Sequence, residues 1–278
     1  MSSPGDRTVL ITGCSSGIGL CVARGLRDRG YRVITTARKA VDVAQLKSEG
    51  LESFLLDLAN PESIRNAVEQ ILSVTDQRIY GLFNNGAYGQ PGAVEDLSRE
   101  TLRQQFECNL FGWHQLTCLL IPVMRRQGEG RIIQNSSVLG LVALRYRGAY
   151  VASKFALEGL TDTLRLELQG SGIRVSLIEP GPITSRFRDN AYRMWKQHVD
   201  PASSPHRDAY RAMEERLTKP GPAAPFTLPP EAVLKRVIHA LESPRPRIRY
   251  YVTFPTYLFA LLRRILPLRT LDRVLKRV

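Results

Sequence analysis

Seven short runs rich in β-branched and aromatic residues alternate with stretches of helical period, and this alternation is the tightest constraint on what the chain can fold into. The runs are RTVLIT (7–12), YRVITT (31–36), LESFLL (51–56), IYGLF (79–83), RIIQNS (131–136), IRVSLI (173–178) and RIRYYV (247–252). Amphipathic stretches at 18–29, 62–73, 99–126 and 149–169 lie between them. Strand and helix repeating in this way make right-handed crossovers, which lay the strands side by side as a parallel sheet with helices on both faces. The expected class is therefore α/β, a doubly wound parallel seven-stranded sheet, in one main domain over residues 1–252.

The rhythm breaks once, at 184–230. That segment carries Phe187, Tyr192, Trp195, Tyr210 and Phe226 among seven prolines. It begins where the sixth strand reaches the carboxyl edge of the sheet, the edge at which such folds bind ligands, and it reads as a long substrate loop. Residues 253–278 form an extension beyond the last strand.

Length and composition, 278 residues with 43% hydrophobic and 23% charged, allow a large core without disulfide or metal staples. Cys14, Cys21, Cys108 and Cys118 fit no zinc or redox spacing, and MSSPGDR leads straight into an apolar strand with no signal-peptide pattern. Reduced thiols, no metal and a cytoplasmic location are the expectation. The net charge of +13 raises nucleic acid as a partner, but it is concentrated. Residues 245–278 hold nine Lys/Arg against the single acid Asp272, a net of +8, whereas the other 244 residues carry 30 basic against 25 acidic, a net of +5. With no recognition motif beside the charge, nucleic acid is not expected, and the excess belongs to the C-terminal extension.

The first strand runs into TGCSSGIG (12–19) and then into a helix. Gly13, Gly17 and Gly19 permit a tight turn that brings the free N–H groups and positive end of that helix against a pyrophosphate, with Ser15, Ser16 and Ile18 as further candidate contacts. A site preferring NAD has a carboxylate about 20 residues after this loop, for the adenosine ribose. Here Ala37 stands in that place, followed by Arg38 and Lys39. Two cations suit a 2′-phosphate, so the expected cofactor is NADP(H); the alternative is a solvated basic pair. Asp57, next to Leu58, could accept from the adenine amino group or serve as the turn acid before Asn60-Pro61. Asn84 and Asn85, followed by Gly86, could tie neighbouring strands together beneath the adenosine.

Tyr150 and Lys154 lie four apart, on one face of a helix. In order, the glycine loop, Asp57, NNGA (84–87), Asn109, Ser136-Ser137, YxxxK (150–154) and PGPIT (180–184) resemble the short-chain dehydrogenase/reductase family over about residues 6–252. One departure stands in that series: the family usually reads Asn-Asn-Ala-Gly after the fourth strand, and here Gly86 and Ala87 are exchanged.

The resemblance implies a Rossmann fold, often assembled as a homodimer or homotetramer, and a set of roles. Tyr150 would exchange a proton with the carbonyl oxygen, and Ser137 would hydrogen-bond the same oxygen. Lys154 would hold the nicotinamide ribose and, with the oxidised ring, lower the phenol pKa from its ordinary value near ~10. Asn109 would hold a water relaying protons to Lys154. Pro180, Gly181, Ile183 and Thr184 would meet the nicotinamide end, with Thr184 bonding its carboxamide.

Within the family, VLITGCSSGIGL and SKFALEGL are similar to the branch handling steroids, retinoids and lipid-like aldehydes. Reduction of an apolar aldehyde or ketone is the favoured activity; a steroid- or retinol-type dehydrogenase and a non-catalytic redox sensor are the alternatives. The tail FPTYLFALLRRILPLRTLDRVLKRV (254–278) holds an apolar run too short to span a bilayer. Beyond Pro267, the residues Leu268, Leu271, Val274, Leu275 and Val278 fall on one helical face, with Arg269, Arg273, Lys276 and Arg277 elsewhere. Such a segment suits an anionic membrane surface, a helix packed over its own pocket, or a contact with another subunit.

Overall fold

The computed structural model describes residues 7–222 and 224–277, so Val278 of the amphipathic tail lies outside the described residues. Strands β1 (Thr8–Ile11), β2 (Arg32–Ala37), β3 (Glu52–Leu55), β4 (Gly81–Asn84), β5 (Gly130–Asn135), β6 (Ile173–Glu179) and β7 (Arg249–Tyr251) form one sheet. Its order is β3-β2-β1-β4-β5-β6-β7, and every neighbouring pair is parallel. The chain winds outward from β1 to β3 and then returns to the other side of β1, which leaves a switch point between β1 and β4.

The helices are α1 (Gly17–Arg27), α2 (Ala40–Ser48), α3 (Pro61–Val74), α4 (Arg99–Phe106), α5 (Gly112–Gln127), α6 (Gly148–Glu167), α7 (Phe187–His198), α8 (Arg207–Thr218), α9 (Glu231–Glu242), α10 (Phe254–Ile265) and α11 (Leu268–Leu275). On one face of the sheet, Val22, Leu26, Val43, Leu46, Val233 and Val237 bring α1, α2 and α9 onto Val9, Ile11 and Phe83. On the other, Ile64, Ile71, Trp113, Leu120 and Leu157 bring α3, α5 and α6 onto Leu10, Leu82 and Ile132. Alternate residues of a buried strand serve opposite faces, so Val9 and Leu10 belong to different cores although they are adjacent. Local signals place the ends: Asn60 Oδ1 accepts from the N–H groups of Glu62 and Ser63 at 2.9 and 3.1 Å ahead of Pro61, and α5 stops at Gly128, with φ of 74°.

The long amphipathic stretch at 99–126 is not one helix. Between α4 and α5 the chain makes a π-helical turn over Glu107–Phe111, carrying Asn109 at its middle. Residue 184–230 also differ from the expected loop, because α7 and α8 fold there around a small core of their own. Ala191, Trp195, Val199, Tyr210, Met213 and Leu217 pack together over Ala93. Tyr210 accepts a hydrogen bond from the Ala93 N–H at 2.8 Å and donates to Asp96, fixing the pair of helices to the segment after β4. The two ends of the insertion meet in a parallel bridge between Ile183 and Leu228, where the Thr184 N–H donates to Leu228 O at 3.0 Å and the Leu228 N–H to Pro182 O at 3.1 Å.

Trp195 is almost wholly buried in a cluster with few other members. Trp195→Ala is expected to cost about 3–5 kcal/mol within the insertion. Limited proteolysis should then cut first within 187–218 while the seven-stranded core stays intact, as read by the fragment pattern.

Candidate active site

The carboxyl ends of β1, β4, β5 and β6 converge on the switch point, and each delivers part of one cleft. After β1 the chain turns through Gly13 and Gly17, with φ of 69° and 58°, in the left-handed region where a side chain is strained. Space forbids a side chain as well: a Cβ at Gly13 would stand 2.5 Å from Gly86 Cα, and one at Gly19 would stand 2.3 Å from Gly13 O. Ser16 ahead of α1 is extended, its side chain caps no N–H, and no acid occupies the first turn. The start of α1 therefore offers unclaimed donors at the positive end of a helix, in a cradle kept open by missing side chains, and that fits a dinucleotide pyrophosphate. Ser15 is exposed beside it, while Ile18 packs partly into the core.

A polar staple fixes the strands below. Thr12 Oγ1 accepts from the backbone N–H groups of Asn85 and Gly86 at 2.8 and 2.9 Å. The Asn85 amide donates back to Thr12 O at 3.0 Å and accepts from Asn135 Nδ2 at 2.9 Å, so one side chain joins β1, β4 and β5. Asn84 turns the other way, donating to Thr117 Oγ1 on α5 at 3.0 Å rather than to a neighbouring strand. Gly86, in the exchanged pair, gives its carbonyl to Trp113 Nε1 at 2.8 Å and leaves only enough room for Gly13 and Leu58.

At the end of β2, Ala37 is buried and Arg38 and Lys39 are exposed; among the described residues neither cation forms an ion pair. Asp57 takes its turn role: Oδ1 accepts from the Ala59 N–H at 3.0 Å.

Tyr150 and Lys154 share the inner face of α6, and both are buried. The Lys154 ammonium donates to Asn135 O at 2.8 Å and sits 4.3 Å above the Trp113 ring and 5.7 Å from the Tyr150 ring. Burial pulls Lys154 down from 10.5 to about 7, with the Glu158 carboxylate opposing the fall. Burial pushes the Tyr150 phenol up to about 12, with the Ser137 hydroxyl working the other way. In the protein alone, loss of water thus outweighs the Ser137 hydrogen bond at the phenol; the lowering that the family resemblance implies involves the oxidised nicotinamide as well as Lys154. Ser137 heads a short turn over Val138–Gly140 and accepts from the Leu139 N–H at 3.1 Å.

Asn109 is fully buried in its π turn, a distortion that redirects side chains and recurs at functional sites. Its amide donates to Tyr88 O at 2.8 Å and accepts from the Tyr88 N–H at 3.2 Å, and it reaches Ser153 Oγ at 3.4 Å, next to Lys154.

Behind this set lies a buried carboxyl pair that the sequence reading passed over. Glu158 Oε2 meets Arg249 Nη2 at 2.8 Å, and Glu179 Oε1 meets Arg249 Nε at 3.1 Å. Burial raises both acids, Glu179 to about 9, which keeps a proton between them. Glu158 is four residues beyond Lys154 and Trp113 four beyond Asn109, so the helical spacing that marks Tyr150 and Lys154 points to both. Phe187, the first residue of α7, meets the Tyr150 ring edge to face at 5.4 Å and covers the site from the insertion. Ser185 lies against Gly17, and Thr253 against Gly181, so the turn through Pro180, Ile183 and exposed Thr184 runs along the cleft from Tyr150 toward the glycine loop.

Comparison with known proteins places this geometry. A family model described as short chain dehydrogenase matches residues 7–195. An uncharacterized oxidoreductase of Escherichia coli, YbbO, is 46% identical over 98% of this chain and 94% of its own length. The mouse protein named retinol dehydrogenase 16 is 33% identical over 97% of this chain and 88% of its own. The crystal structure of a short-chain dehydrogenase from Streptomyces avermitilis superposes with a TM-score of 0.77 at 27% identity, covering 99% of this chain and 94% of that one.

The depressed Lys154 leads to a prediction with a definite sign. The folded protein gives up this proton as pH rises through about 7, while an unfolded chain keeps it to higher pH, so the cost of the buried cation is present below that value and is relieved above it. Glu158→Gln removes the opposing carboxylate and should move the Lys154 titration to lower pH. Side-chain NMR of selectively labelled lysine reads the midpoint directly.

Proposed function

Since the chain belongs to the short-chain dehydrogenase family and is thus an oxidoreductase, we propose that it reduces the carbonyl of apolar aldehydes and ketones with NADPH. The observation that carries this reading is the convergence of three buried side chains, with the Ser137 hydroxyl beside the Tyr150 phenol and the Lys154 ammonium 5.7 Å from the Tyr150 ring. Bound NADPH would supply the hydride. Gly13, Gly17 and the start of α1 would hold its pyrophosphate, Arg38 and Lys39 its 2′-phosphate, and Lys154 its nicotinamide ribose.

The chain's own part is to place a proton where negative charge grows. Tyr150 donates to the carbonyl oxygen while Ser137 fixes that oxygen by a second hydrogen bond. A phenol pushed up to about 12 is protonated throughout the neutral range, so Tyr150 carries the proton when a carbonyl arrives. Lys154 replaces the lost proton, and a water beside Asn109 and Ser153 connects Lys154 to solvent. Phe187 and the insertion exclude bulk water from this exchange and offer an apolar wall to the substrate. A retinol-type alcohol oxidation is the second reading, favoured by the relative that bears the name retinol dehydrogenase.

Tyr150→Phe removes the transferable proton and little else. Its kcat for an apolar aldehyde, followed by NADPH absorbance, should fall roughly 100-fold or more while NADPH binding persists; near-normal turnover would end the assignment. Arg38→Asp should weaken NADPH binding by roughly tenfold or more and shift preference toward NADH, since a charge-assisted contact to phosphate becomes a repulsion. Fluorescence titration with both cofactors measures it.

A further inference from the structure

The C-terminal extension leaves its apolar surface on an unexpected helix. Of the expected apolar face beyond Pro267, Leu271 is buried and Val274 and Leu275 are half-buried, so α11 past its first residue, the exposed Leu268, turns its apolar side onto the protein. It is α10 that faces outward. Thr256 and Phe259 hold its inner side, and Arg263 reaches inward to donate to Leu141 O at 2.7 Å and stack over Phe155 at 5.1 Å. On the opposite side Phe254, Tyr257, Leu258, Leu261 and Ile265 are all exposed, with Leu261 at 56% and Ile265 at 61%, and Leu268, the first residue of α11, continues the line at 73%. Single exposed apolar residues are ordinary, but a stripe running the length of a helix is a surface awaiting a partner. Among the described residues no helix is long and apolar enough to cross a membrane, so the stripe has the form of a helix lying along an interface.

We propose that α10 and α11 seat the enzyme on an anionic bilayer, with the stripe in the acyl boundary and the cations of the extension against lipid phosphates. Charge selects this partner. Arg264, Arg269, Arg273, Lys276 and Arg277 are exposed around or beyond the stripe, against the single acid Asp272. A second copy docked through the same face would bring these cations toward their own images, whereas anionic headgroups neutralise them. The surface adjoins the cleft. Thr253, just ahead of α10, lies against Gly181; Arg263 holds the chain just past the Ser137 turn; and Phe254 packs at 5.0 Å on Phe226, near the end of the insertion. An apolar carbonyl compound dissolved in the bilayer would thus meet the insertion without crossing water. That last step rests on the substrate proposed above; the docking itself does not.

The test is flotation of the full chain with vesicles of phosphatidylcholine alone and of phosphatidylcholine with phosphatidylglycerol. Binding is expected to the anionic vesicles, weak binding to the neutral ones, and loss of the difference at high salt. Leu261→Asp with Ile265→Asp should lower recovery with anionic vesicles by roughly tenfold or more, and Arg269→Glu with Arg273→Glu should reduce it to the neutral-vesicle value. Both variants should keep the turnover of a short, water-miscible aldehyde, which separates failure of docking from failure of the catalytic reading. Equal flotation of wild type and variants would overturn the proposal. So would no vesicle binding together with a halving of sedimentation mass in the Leu261/Ile265 variant, which would assign the stripe to a second copy of the chain.

Discussion

One buried ammonium governs the rest of the site. Lys154 lies where water cannot solvate it, and everything around it answers that cost: the Asn135 carbonyl at the end of β5, the face of Trp113, and the carboxyl of Glu158 one helical turn away. These groups come from β5, α5 and α6, so the cation can be held only if the sheet and both helices are in register. The Thr12–Asn85–Asn135 staple meets the same demand from the other side, because it fixes the strand end whose carbonyl receives the lysine. The geometry of the candidate site and the packing of the core are thus a single arrangement rather than a site added to a scaffold.

That arrangement also explains why a phenol and an ammonium four residues apart do not form the simple pair that their spacing suggests. Lys154 bonds backbone rather than phenol, and Tyr150 is covered by Phe187. Each group is shifted toward its neutral form by the same exclusion of water, Lys154 downward and Tyr150 upward. Arg249 with Glu158 and Glu179 stands behind them and ties β6 and β7 to α6.

The parts legible in the sequence are those written in local patterns. Seven β-branched runs became seven strands, shorter than expected at their ends, and TGCSSGIG and the YxxxK spacing of Tyr150 and Lys154 marked α1 and α6. What stayed hidden depends on contacts between distant segments. The π turn at Asn109 has no periodicity of its own and is defined by the Tyr88 backbone, 21 residues away. Helices α7 and α8 are rich in charge and bury one side on Ala93 and each other, so their aromatics read as scattered until Trp195 and Tyr210 are seen to face one another. In the tail, helical spacing grouped Leu268, Leu271, Val274 and Leu275, but packing turns Leu271, Val274 and Leu275 inward and leaves Leu268 exposed.

The bridge between Ile183 and Leu228 has a consequence for how such a protein can change. Because the two ends of the segment meet each other just past β6, its interior can lengthen, shorten or take new side chains without disturbing strand register. On the proposed reading of the segment as the cover over the substrate, selectivity for one compound over another can drift independently of what lies beneath it, as a lock may be recut while the bolt stays in place.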